Sequence, residues 1–164
     1  MKLLWIAISQ FQKNNSLSGI TSGMASTRYR ILMPAMELQK INHHISLAAV
    51  TDNVMPPALL DNLDCDAVIF SKIIHEINEK IAIIARERGA RVIFDICDNR
   101  FEHSGLSERY RNMAGLADVI TCNTQGMADI IKRYSDAPCH VIADLCEGQR
   151  QPAKFSPGET LNLL

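Results

Sequence analysis

At 164 residues, 47% apolar and 21% charged, the chain has the composition of one folded domain with one good core and is short for two. A formal charge of -1 and a pI near 6.5 supply no broad attraction for nucleic acid or an anionic membrane, so any phosphate site must be local. The five cysteines contain no C-x-x-C pair and are odd in number, which argues against a closed disulfide framework and fits a reduced, cytoplasmic setting with Cys97 and Cys122 as small buried hydrophobes.

Leu3–Ile8 reads as a first buried strand; its apolar run is short for a signal peptide and lacks a small-residue cleavage site. No run approaches the roughly eighteen apolar residues of a membrane span. Gln10–Ser26 follows as a polar loop, in which Ser18, Gly19, Ser22 and Gly23 either let the backbone approach a ligand or simply make a flexible connection. The spacing is not the G-x-G-x-x-G of dinucleotide sites. Tyr29, Leu32, Met33 and Met36 recur at helical spacing across Pro34, so either a helix from near Thr27 kinks at the proline or the helix proper starts there. If Arg28 and Arg30 lie on extended chain, alternate residues point the same way and both guanidinium groups reach one phosphate or carboxylate; otherwise they are two surface arginines.

Ile45–Val50 reads as the second strand, Thr51–Pro57 as a loop and Ala67–Phe70 as the third strand. Ile74, Ile77, Ile81, Ile84 and Ala85 form the stripe of an amphipathic helix that Gly89 closes. Val92–Ile96 is the fourth strand, Ser107–Ala114 a helix and Val119–Cys122 the fifth strand. Thr124 caps a helix carrying Met127, Ile130 and Ile131, and Val141–Ala143 makes a sixth strand before the linker-like Leu145–Glu159. Strands alternating with helices predict an α/β fold: a three-layer Rossmann-like domain with a mostly parallel sheet of about six strands and right-handed crossovers.

Ligands of such sheets bind outside the carboxyl ends of the strands, which directs attention to Arg91–His103. Asp95 lies between Phe94 and Ile96 and is expected to point away from their face; a buried carboxylate needs a partner, with Arg28, Arg30 and Arg100 available. Asp98 and Asn99 either meet a ligand or bond their own backbone in a turn. His103 is a candidate general base or ligand-binding group, against an ordinary exposed histidine. No metal site is expected: there is no H-x-x-x-H, and adjacent His43 and His44 diverge on a strand.

Three segments, S-G-M-A-S-T-R-Y-R-I-L-M-P-A (Ser22–Ala35), V-I-F-D-I-C-D-N-R-F-E-H (Val92–His103) and A-D-V-I-T-C-N-T-Q-G-M-A-D-I-I (Ala117–Ile131), together resemble the N-terminal Rossmann-like domain of GT-B glycosyltransferases, in the large retaining family that uses nucleotide sugars. H-V-I-A-D and then F-S-P (Phe155–Pro157) look like the run into the interdomain linker, and E-T-L-N-L-L like the first strand of a second domain. The resemblance implies an acceptor-side domain over residues 1–146, with 147–164 as linker and start of a second domain. It also implies a cleft in which a saccharide or lipid-linked acceptor is held mainly here and the nucleotide-sugar donor mainly by the other domain.

Ser22 and Gly23, followed by Arg28 and Arg30, would then lie near the donor phosphates. His103, Asp95 and Asp98 would be candidates for catalysis, in that order, with Asn99 and Asn123 facing ligand. Neither metal nor cofactor is implied. The family's asparagine-glycine turn after the sixth strand is replaced by A-D-L-C-E-G, and the second domain's phosphate-holding residues are missing from the chain, so it is expected to be inactive alone. The exposed cleft face suggests a homodimer. The competing expectation is a non-catalytic binding or interaction module of the same fold. A phosphoacceptor receiver domain is excluded, because Ser9 and Gln10 stand where it needs an acidic pair.

Overall fold

A computed structural model describes residues 1–7, 12–13, 20–50, 59, 63–72, 75–103 and 105–145. Ile8, Ser18, Gly19, the loop over 51–57, Ile74, Cys146 and the segment over 147–164 lie outside the described residues. The main sheet has six strands: β1 (Lys2–Ala7), β4 (His44–Ala49), β5 (Ala67–Ser71), β6 (Arg91–Ile96), β7 (Val119–Cys122) and β8 (Cys139–Val141). Their order is β4-β1-β5-β6-β7-β8 and every neighbouring pair is parallel. Two short strands, β2 (Gln12–Lys13) and β3 (Ile20–Thr21), form a separate antiparallel pair. The architecture is thus the three-layer, Rossmann-like α/β arrangement read from the alternation of apolar runs.

Side-chain alternation along the strands divides the apolar residues between two faces. Leu4, Ile6, Val68, Phe70, Val92, Phe94, Ile96, Ile120 and Cys122 meet the buried stripes of α3 (Glu76–Glu87), α4 (Ser107–Leu116) and α5 (Gln125–Ile131). On the other face Trp5, Ala7 and Ile69 pack with Ile31 and Ala35 of the first helical stretch, and Ile93 flanks them. Gly89, at φ +84, ends α3: the Ala90 N–H reaches back to the Ala85 carbonyl at 2.9 Å, a closure that needs the left-handed conformation. Thr124 caps α5 by accepting the Met127 N–H.

Pro34 stands in the first turn of a regular helix, as the second alternative had it, but other helical turns precede that helix. Helix runs through the proline as α1 (Ala25–Thr27), a π-helical turn over Arg28–Leu32 and α2 (Met33–Lys40). The Met33 N–H donates to the Arg28 carbonyl, five residues back. This wide turn lies immediately ahead of Pro34, which has no N–H to continue the regular ladder. The last strand also differs from the apolar run that suggested it. The ladder uses Cys139–Val141, while Val141 and Ile142 are 45% and 54% exposed, because at a sheet edge pairing does not follow hydropathy.

Candidate functional site

The chain runs from β1 outward to β4 and then crosses to β5 on the other side, so the order reverses between β1 and β5. In open parallel sheets a crevice forms at such a point, beyond the carboxyl ends of the strands. Strand register then decides which residues meet there. Ser71 pairs with Asp95 and Asp95 with Thr121, so three polar side chains form one row across β5, β6 and β7. Asp95 points away from the face of Phe94 and Ile96, toward the first helix.

The π turn places Arg30 directly over that row. Arg30 and Asp95 form a two-pronged ion pair: Nη2 donates to Oδ1, and Nε donates to Oδ2 at 3.2 Å. Thr121 Oγ1 donates to Oδ1 at 2.7 Å and Ser71 Oγ to Oδ2 at 3.1 Å. Each carboxylate oxygen therefore accepts two hydrogen bonds, which fills the acceptor capacity of the group. The Trp5 indole N–H donates to Ser71 Oγ at 3.0 Å and extends the network across to β1. Arg30 Nη1 reaches the Ile142 carbonyl at 2.5 Å and Asp144 at 3.3 Å, tying the helix to the chain beyond β8. Burial works against the Arg30 charge, but the carboxylates of Asp95 and Asp144 outweigh it and raise its pKa above the ordinary arginine value.

Arg28 does not share this carboxylate. The segment is helical, and residues two apart on a helix face different ways, so the expectation drawn from an extended segment fails. Arg28 folds back instead, donating to the carbonyls of Ser22 at 2.9 Å and Gly23 at 3.2 Å, with its guanidinium over the Tyr29 ring. Ser22 is buried and its hydroxyl accepts the Met24 N–H, whereas Gly23 is exposed. Arg28 thus braces the Ser22–Gly23 loop from the helix that follows it.

Asp98 and Asn99 form a second group, after β6. Asn99 Oδ1 accepts the Phe101 N–H at 3.2 Å, the local turn weighed against a ligand role. Asp98 faces Lys72 at 3.7 Å, and Lys72 holds φ +55, a left-handed conformation uncommon for a residue with a side chain. Cys97 lies between these groups and Asp95. Burial first, then the neighbouring Asp98 and Asp95 charges, push its thiol up to about 11 against the pull of Lys72, so it is not a thiolate near neutral pH. His103 is exposed, and its carbonyl accepts the Leu106 and Ser107 N–H groups at the start of α4; it does not join the Arg30–Asp95 network. Asn123 does join it, donating Nδ2 to Asp144 at 3.3 Å. Its Oδ1 is buried and has no hydrogen-bond partner among the described residues.

Ser71, Thr121, Trp5 and Asp144 were not singled out in the sequence. Ser71 and Thr121 are hydroxyls at the ends of apolar strands, and only register aligns them with Asp95. Beside the network lies a cavity of about 450 Å³ with Trp5, Ile69 and Ile93 as floor, Tyr29 and Pro34 on one side and Ile142, Ala143 and Leu145 on the other. A larger, more polar depression of about 900 Å³ lies at the opposite edge of the sheet, around Lys2, Asp66 and Arg91. It is at the amino ends of the strands, away from the reversal of strand order, and carries less weight as a site. No three His, Cys, Asp or Glu side chains converge as a metal-binding group among the described residues, and no helix there is long and apolar enough to cross a membrane.

Fold and crevice together define a Rossmann-like α/β domain with a polar cluster at the carboxyl edge of its parallel sheet. Compared with known proteins, the chain matches no family model and no curated protein.

Proposed function

We propose that the chain is the acceptor-side half of a GT-B glycosyltransferase, working in the cytoplasm and completed by a second Rossmann-like domain. It would transfer sugar from a nucleotide sugar to a saccharide or lipid-linked acceptor. The observation that carries this reading is the row Ser71–Asp95–Thr121 locked under Arg30 at the crevice, with Arg30, Asp95 and Thr121 inside the segments whose order resembles that family. Four hydrogen bonds on the Asp95 carboxylate suit it to fixing Arg30 and the crevice wall rather than to taking a proton. His103 and Asp98, on exposed chain beyond β6, are better placed to meet an acceptor hydroxyl. Departure of a nucleoside diphosphate needs concentrated positive charge, for which this half supplies Arg28 and Lys72 and the second domain the remainder. Any dimer would form through the exposed cleft face, and sedimentation as a strict monomer at high concentration would remove that part of the reading.

The saturated Asp95 also favours a second reading, a non-catalytic binding module of the same fold. Nucleoside diphosphate release from a nucleotide sugar, measured with saccharide acceptors, separates the two. The transferase reading expects no release from this chain alone and release once it is joined to a donor-binding domain. Turnover by the chain alone would refute the half-enzyme reading, and persistent silence of the joined protein would leave the binding module.

A further inference from the structure

The cavity beside the ion pair has walls of a particular chemistry. Its floor is Trp5, Ile69 and Ile93; Pro34 and the Tyr29 ring form one flank, and Ile142, Ala143 and Leu145 the other. Arg30, Asp95 and Thr121 also border it, but their polar atoms are engaged with one another and with Ser71, Ile142 and Asp144. None of the buried polar atoms lacking a partner among the described residues belongs to the cavity lining. Whatever fills it therefore gains by leaving water and finds no polar group to satisfy, which is the condition for a hydrocarbon group. A volume of about 450 Å³ falls within the range of small-ligand cavities.

The rim differs from the interior. Asp144 sits between the lining residues Ala143 and Leu145, half-exposed, and next to it Asn123 Oδ1 lacks a hydrogen-bond partner among the described residues. Glu37 stands on the helix side and pairs with Lys40. Around the rim the cations Arg28, Arg30 and Lys40 are balanced by the carboxylates of Glu37, Asp95 and Asp144, so neither sign of charge prevails. That balance gives a carboxylate or phosphate head no net attraction, while the half-exposed Asp144 carboxylate calls for a donor such as a hydroxyl.

We infer that the cavity is a binding slot for the alkyl or prenyl chain of a neutral amphiphile whose hydroxylated head rests against Asp144. This deepens the acceptor-side reading and rests on it for the choice of a sugar as the head. It makes the acceptor a saccharide with an apolar tail and assigns the tail to the cavity beside the first helix.

The chain carries its own reporter, since its one tryptophan, Trp5, is only 6% exposed and forms part of the slot floor. Trp5 emission is followed while the intact chain is titrated with decyl glucoside below its aggregation concentration. Parallel titrations use methyl glucoside, decanol, decanoate and decyl phosphate. The slot requires a saturable change with decyl glucoside, affinity about tenfold weaker for the two anions, and no response to methyl glucoside at the same concentration. Ala143→Phe, at an exposed position that does not endanger folding, should narrow the slot and abolish the response, and a decyl chain brominated at its end should quench Trp5.

Equal binding of methyl and decyl glucosides would overturn the slot while leaving the acceptor reading in place. Binding of every decyl compound with equal affinity would overturn the assigned head group. Absence of any saturable response, or a response unchanged by Ala143→Phe, would overturn the slot outright.

Discussion

Arg30 and Asp95 stand sixty-five residues apart in the chain and face each other as a buried pair, their side chains 6% and 7% exposed. The pair joins the first helix to the fourth strand of the main sheet in chain order, and Asp144 extends it to the chain beyond the last. Charges removed from water in this way cost much unless every polar atom is matched, and here the match is nearly complete. Removing one partner should therefore do more harm than removing both. Arg30→Met is expected to cost about 3 kcal/mol or more by stranding Asp95. Arg30→Met combined with Asp95→Leu should recover part of that loss. Urea unfolding of the two variants measures the difference, and a double variant less stable than Arg30→Met would contradict it.

Ser71 and Thr121 should behave as one unit with Asp95. Each donates to a different oxygen of the same carboxylate. Ser71→Ala and Thr121→Val are each expected to cost about 1.5–3 kcal/mol, as hydrogen bonds to a charged acceptor. Because they share that acceptor, the double variant should depart from the sum by at least about 0.5 kcal/mol, which a double-mutant cycle reads directly. Ser71→Ala should also shift Trp5 emission, because it removes the partner of the indole N–H.

Gly89 is needed for its conformation and not for space. A Cβ built there meets nothing within 4 Å, yet φ is +84. Gly89→Ala should cost about 1 kcal/mol through backbone strain alone. Gly89→Asn should cost less, since asparagine tolerates the left-handed region better than alanine. Thermal unfolding of the two variants tests the order, and equal losses would contradict the cause given.

Alkaline conditions should weaken the fold. Burial pushes the Cys97 thiol up to about 11 and Tyr110 up to about 12; burial, and then contact with Cys122, pushes Cys139 up to about 11. Each folded value lies above the ordinary one, 9.0 for cysteine and 10.0 for tyrosine. As pH rises past 9 the unfolded chain releases protons that the folded chain retains, so stability falls. Melting temperature should change little on account of these groups up to about pH 8.5 and fall progressively between 9 and 11. At pH 8 the alkylation of Cys97 by iodoacetamide should be much slower than that of a model thiol. A rising melting temperature above pH 9 would contradict the sign.

Much of the architecture was legible in the sequence because it rests on local patterns. The stripe Ile77–Ile81–Ile84–Ala85, the glycine closing it and Thr124 ahead of its helix all operate through neighbours in the chain. Residues whose meaning depends on distant partners were less legible. Asp95 visibly needed a cation, but choosing Arg30 over Arg28 required knowing that a π turn, not an extended strand, carries both arginines. Ser71 and Thr121 acquire their role only when three strands align in one register. The edge strand was misplaced by two residues because Val141, Ile142 and Ala143 are apolar without being buried.

The acceptor-side reading is tested most directly by saturation-transfer NMR on this chain with two ligands in separate samples, an alkyl glucoside and a nucleotide sugar. Magnetisation should pass strongly to the glucoside, with hydroxyl-bearing ring protons affected and the signal weakened by Ala143→Phe. On that reading the nucleotide sugar should receive little. Strong transfer to the nucleotide base with none to the glucoside would contradict the assignment of this domain to the acceptor.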